Sequence, residues 1–188
     1  MEFRLYNKMN CTLFDMIGHK EPDQTKGLGY ILANSKDAMK IFLNLIQINK
    51  QDIQFLLSSK WVIECEQRQN PHTKKSMRTD IVIYFYNSNS LIKIIIIEAK
   101  GIKAHANSLN TINQLQNYLT LYRQKFPSVK NITCVTLTSI SIIQCKSAGF
   151  HSLTWWDLIN NFYSYANSKK KQVEAQLLSD YVNYLINI

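Results

Sequence analysis

The chain has 188 residues, room for one compact domain and little else. Hydrophobic residues make up 46%, interrupted by only 5 glycines and 3 prolines, a composition that predicts a folded core and not disorder. The formal net charge of +9 suits a polyanionic partner, because lysines and arginines set against phosphates release condensed counterions; an anionic membrane surface would attract the same residues.

Cys11, Cys65, Cys134 and Cys145 are scattered, with no Cys-x-x-Cys pair and no histidine cluster. This argues against structural zinc and for reduced thiols in a cytoplasmic setting. Met1-Glu2-Phe3-Arg4 lacks a secretory apolar core, and the run around Ile94 to Ile97 is too short to span a bilayer. No membrane partner is expected.

Residues 1–17 read as a short amphipathic helix or lead-in, with Leu13, Phe14, Met16 and Ile17 available for packing. Pro22 suits the first turn of a helix, where its missing N–H costs nothing. From Pro22 to about Leu57, apolar residues recur three and four apart, and Asn34-Ser35 divides the stretch into two helices with Ser35 capping the second. Trp61 to Glu66 predicts a strand, Gln67 to Lys75 a polar loop, and Asp80 to Tyr86 a second strand rich in β-branched and aromatic residues. After a turn at Asn87 to Ser90, Leu91 to Ala99 predicts a third strand. Its Ile94 to Ile97 run lacks alternation, as in a central strand covered on both faces.

Ser108 to Lys125 is helical by spacing, Ile132 to Leu137 a strand, and Ser152 to Trp155 a short strand leading into a helix from Asp157 to Tyr165. Val173 to Ile186 predicts a last amphipathic helix beyond the lysines at 169–171. With no repeat and no linker, the expectation is a single α/β domain over 1–188, with a central mixed sheet flanked by helices.

The second and third strands carry the chemistry. Glu98 and Lys100 are two apart, so both side chains leave an extended chain on one face. A three-residue loop, or a bulge that restores parity, sets Asp80 across from Glu98; a four-residue loop puts the carboxylates on opposite faces. Two neighbouring carboxylates repel unless a cation lies between them, and hard oxygen ligands select Mg²⁺ or Mn²⁺ over zinc. Such an ion polarises a phosphodiester and activates water, and an ammonium beside it orients the water and offsets developing charge.

These residues resemble the PD-(D/E)XK (restriction-endonuclease-like) nucleases, whose shared core runs helix, three strands, helix, strand. The family's aspartate matches Asp80 in Arg78-Thr79-Asp80-Ile81-Val82-Ile83, its Glu-x-Lys matches Glu98-Ala99-Lys100, and Gln114-Leu115-Gln116-Asn117-Tyr118 resembles its Gln-x-x-x-Tyr element. Thr79 stands where the family name has proline. The resemblance spans about residues 20 to 158, leaving a helical tail over about 159–188. It implies an Mg²⁺-dependent nuclease acting on DNA, with RNA as an alternative substrate and host defence or restriction as the setting.

The roles it implies are metal binding for Asp80, Glu98 and the Ala99 carbonyl, positioning of the nucleophile for Lys100, and water or substrate contact for Gln114. The first helix of the family usually supplies another acid, and Glu21 is the candidate for metal or water. Pro22 biases Glu21 toward a cap conformation, which leaves Asp23 as an alternative. Arg78, Lys74, Lys75, Lys103 and Tyr118 are the expected nucleic-acid contacts, and double-strand cutting would call for a homodimer.

Each signal also has a plainer reading. An acid facing Glu-x-Lys across a hairpin is common in ordinary sheets, and a fold of this kind also serves as a non-cleaving nucleic-acid- or protein-binding module. Glu98 distinguishes the chemical reading, because it closes an apolar strand where an unpaired carboxylate is costly. Glu64 and Glu66 fit a pairing with Lys74, Lys75 or Arg78, and Trp155-Trp156 fits core or helix-entry packing.

Overall fold

The structure, a computed structural model, describes residues 14, 17–69, 77–169 and 172–188. Leu13, Met16, Lys74 and Lys75 therefore lie outside the described residues. Seven helices and five strands follow in chain order among those described: α1 (Glu21–Asn34), α2 (Lys36–Leu45), α3 (Lys50–Ser58), β1 (Lys60–Gln69), β2 (Met77–Asn87), β3 (Ser90–Ala99), α4 (Ser108–Lys125), β4 (Ile132–Thr138), α5 (Gln144–Ser147), β5 (His151–Thr154), α6 (Trp155–Ser168) and α7 (Val173–Asn187). The strands form one mixed sheet in the order β1-β2-β3-β4-β5. β1, β2 and β3 run antiparallel, whereas β4 and β5 continue parallel from β3. No helix among the described residues is long and apolar enough to cross a membrane.

Local chemistry explains most boundaries. Ser35 Oγ accepts from Ala38 N at 3.1 Å and starts α2, as its capping role predicts. The stretch to Leu57 holds a third helix that apolar spacing hides: Gln47 has a φ of 60°, and Asn49 Oδ1 accepts from Asp52 N at 2.8 Å to begin α3. Trp155 belongs to α6 and not to the preceding strand, because Thr154 and Asp157 cap each other's backbone across that step. The four-residue α5 has too short a pattern to be read from sequence.

β3 is the central strand expected of an unalternating isoleucine run. Ile95 and Ile97 join the core formed with α1, α2, α3, α6 and α7, while Ile94 and Ile96 join the core under α4. Even-numbered residues of β2 and, beyond Lys93, of β3 thus face α4.

The hairpin register departs from a simple three-residue loop. Asn87 pairs with Ser90 around a two-residue turn, with Ser88 at a φ of 54°. A bulge between Phe85 and Tyr86 then shifts the register, so Phe85 pairs with Lys93 and Ile81 with Ile97. That shift restores the parity that sets Asp80 on the same face as Glu98.

Helix α1 lies close to β1 because Gly29 leaves no side chain between them. A Cβ there would overlap Cys65 Sγ. Gly29→Ala should therefore push α1 off the sheet and destabilise the chain by about 1–3 kcal/mol, read as a lower urea midpoint. Adding Cys65→Ala should recover part of the loss, and a double variant no more stable than Gly29→Ala would refute that close approach as the cause.

Candidate active site

Asp80, near the start of β2, and Glu98, near the end of β3, come together under α4. Both are buried, 8% and 1% exposed. With Glu21, Arg78, Lys100, Gln114, Asn117 and Tyr118 they line a pocket of about 360 Å³. The apolar rows that carry them, Val82 and Tyr84 on β2 and Ile94 and Ile96 on β3, pack beneath α4. Two acids thus end two rows of core side chains.

The site is held by few, directed bonds. Ala99 N donates to Asp80 Oδ2 at 2.8 Å, and Lys100 Nζ donates to Glu98 Oε1 at 2.5 Å. Among the described residues, Glu98 Oε2 is buried with no hydrogen-bond partner, a costly state for an ionised oxygen. Burial, then the neighbouring Glu98, push the Asp80 carboxyl up to about 8. Burial likewise raises Glu98, against the pull of Lys100. Burial works against charge on Lys100, but Glu98, Asp80 and Glu21 outweigh it and hold the ammonium above the ordinary lysine range. Two hard-oxygen acids, one with an orphaned oxygen, beside a firmly protonated amine fit a divalent cation. Among the described residues, no group of three or more His, Cys, Asp or Glu gathers as a ready cation cage.

The remaining expected residues divide. Glu21 lines the pocket, with Oε2 accepting from Gly101 N at 2.7 Å. Lys20, not Glu21, is the N-cap of α1; Asp23 accepts from Lys20 N at 3.1 Å, so the alternative acid serves the helix end. Gln114 and Arg78 line the pocket. Arg78 Nε also pairs with Glu66 Oε2 at 2.9 Å, as the charge pattern of that hairpin predicts.

Tyr118, expected as a nucleic-acid contact, lines the pocket from within the core. It is 3% exposed and donates its hydroxyl to Arg78 O at 2.6 Å, tying α4 to β2. Lys103 is not among the pocket residues; its Nζ donates to the Ile188 backbone oxygen. Ala99 is wholly buried and does not line the pocket.

One residue at the pocket was missed. Asn117, three positions from Gln114 on the same helical face, was legible from spacing alone. Glu66 sits between the Cys65–Ile81 and Gln67–Thr79 pairs, opposite Asp80, with a φ of 59°. A left-handed non-glycine residue is uncommon and carries strain, and no sequence pattern announces it.

Comparison with protein-family models, curated proteins and solved structures finds no match to this chain. The geometry alone carries the functional argument.

The raised Asp80 pKa fixes the sign of a pH effect. A carboxyl whose folded value lies above its unfolded one binds its proton more tightly when folded. Its stability contribution is full below the ordinary aspartate range and is lost as pH rises toward about 8. Urea denaturation in EDTA between pH 5 and 9 should show wild type losing stability relative to Asp80→Asn as pH rises, with Mg²⁺ reversing the loss. Parallel curves for the two proteins would refute this.

Proposed function

We propose that the chain is a metal-dependent nuclease of the PD-(D/E)XK kind that hydrolyses DNA phosphodiester bonds. The observation that carries the reading is the orphaned Glu98 Oε2, buried beside Asp80 and one hydrogen bond from Lys100. An apolar strand that ends in an unsatisfied carboxylate is costly unless the oxygen has a further partner. The order of elements, helices then three strands, helix and strand, agrees with the core expected of this fold, in which α4 supplies Gln114.

Asp80 and Glu98 would hold Mg²⁺, or Mn²⁺ in its place, with the Ala99 carbonyl as a further ligand implied by the resemblance. Such an ion supplies positive charge against the phosphate and lowers the pKa of water. The chain's own groups do the rest. Lys100 keeps its proton and presents an ammonium next to Glu98, where it orients the attacking water and offsets charge developing on the phosphate. Gln114 and Asn117 offer amides from α4 for water or a phosphate oxygen.

Arg78, half exposed at the pocket edge, is placed to grip a phosphate flanking the scissile one. The +9 net charge draws the polyanion to the surface. One site per chain hydrolyses one strand at a time, so cutting both strands would take two copies. Restriction or host defence is the setting suggested by analogy of fold.

Supercoiled plasmid with Mg²⁺ tests the reading. Wild type should nick it, and Glu98→Ala and Lys100→Ala should each slow nicking by about 100-fold or more. Nicking that neither substitution slows would overturn the assignment. Faster cleavage of single-stranded RNA than of DNA would reassign the substrate.

A further inference from the structure

The backbone just beyond Lys100 is anchored more heavily than a strand end requires. Lys100 N donates to Leu137 O at 2.8 Å, the last link to β4. Lys100 O then accepts from Trp155 Nε1 at 2.6 Å, Gly101 N donates to Glu21 Oε2 at 2.7 Å, and Ile102 N donates to Gln24 Oε1 at 2.9 Å. The last three bonds use side chains from α1 and α6, elements 55 to 80 residues away in sequence. Gln24 is 4% exposed and Trp155 wholly buried. Gln24 is itself fixed, its side-chain amide donating to His19 O at 3.3 Å and its backbone carbonyl accepting from Tyr181 Oη at 2.8 Å. Buried amide and indole groups are costly without partners, and here their partners are consecutive peptide units following the Glu-Ala-Lys segment.

We infer that Glu21, Gln24 and Trp155 form a positioning clamp on residues 100–102 that sets where the Lys100 ammonium stands. The inference rests on the nuclease reading for its catalytic consequence, and on hydrogen bonds alone for its structural part. A lysine side chain has four rotatable bonds and a large rotamer entropy. Its tip is held at one point, Glu98 Oε1; the clamp removes the backbone freedom that would otherwise add to this. Glu21 takes a new role in this arrangement. One of its oxygens is committed to Gly101 N, so it acts on the backbone through an acceptor atom that an amide supplies equally well.

That distinction makes the test. Glu21→Gln keeps an acceptor for Gly101 N, whereas Glu21→Ala, Gln24→Met and Trp155→Phe each delete one clamp bond. Two measurements apply to the full chain. The first is acylation of Lys100 by an amine-reactive ester, read by peptide mass spectrometry without metal, with Lys103 as the exposed standard and buried Lys93 as the monitor of unfolding. The second is kcat and KM for plasmid nicking with Mg²⁺.

The three deletions should raise Lys100 labelling several-fold with Lys93 still protected. They should also lower kcat by about 10- to 100-fold at nearly constant KM. Glu21→Gln should keep Lys100 labelling at the wild-type level. The clamp is overturned if Lys100 labelling is unchanged in the deletions, or if Glu21→Gln labels at Lys100 like Glu21→Ala. A deletion that also exposes Lys93 has unfolded, and Glu21→Gln, which keeps every bond, then decides. Should wild type cleave nothing, the nuclease reading fails while labelling still judges the clamp.

Discussion

The site depends on the parity of one hairpin. The two-residue turn that pairs Asn87 with Ser90 would, if continued, put Asp80 and Glu98 on opposite faces of the sheet. The register shift between Phe85 and Tyr86 leaves Ile92 of β3 as an extra residue and reverses that outcome for every pair beyond it. Register is not free to slip back, because Ile94 and Ile96 are committed to the core under α4 and Ile95 and Ile97 to the core on the other side. The four isoleucines that make β3 a central strand are therefore also what holds two acids together some residues away.

Burial then gives those acids their chemistry. At the surface, an acid pair beside a lysine is a solvated ion pair of small consequence. Here the acids terminate apolar rows, and desolvation is the leading influence on both. The single bond from Ala99 N satisfies part of Asp80, and Lys100 satisfies half of Glu98. What remains is an unmet demand for positive charge directed at one oxygen. Tyr118 contributes by closing the site on the α4 side while fixing the strand at Arg78, a structural duty performed from inside the core.

Much of this was legible in the sequence, for reasons that differ by residue. Short-range signals read well: Ser35 as a cap, Ser108 to Lys125 as a helix, and the isoleucine run as a doubly covered strand all rest on interactions within a few residues. The pairing of Asp80 with Glu98 was legible only as two alternatives, since nothing in Leu91-Ile92-Lys93 announces a bulge. The third helix was hidden because Ile46 and Ile53 continue a helical-looking apolar pattern across the break at Gln47. The burial of Tyr118 was not legible because an aromatic ring carries the same spacing whether it faces solvent or core. Gln24 and Trp155 were out of reach altogether, because their partners lie 78 and 55 residues away.

The long-range bonds clarify why α1 matters to a site it touches only at its first turn. Gly29 lets the helix approach β1 closely, and Gly27 leaves room for the Tyr181 ring of α7, where a Cβ would stand 2.8 Å away. Seated so tightly, α1 carries Glu21 and Gln24 to the turn after β3, on the opposite side of the strand end from α4. The acids are thus gripped from the sheet, the lysine backbone from α1 and α6, and the pocket's open side is bounded by α4. On the proposed reading, this division separates two requirements that conflict in a small domain. A basic chain attracts a phosphate backbone at long range, while an acidic pocket repels it at short range until a cation intervenes. Keeping the acids buried and the cationic groups at the pocket edge lets one surface satisfy both.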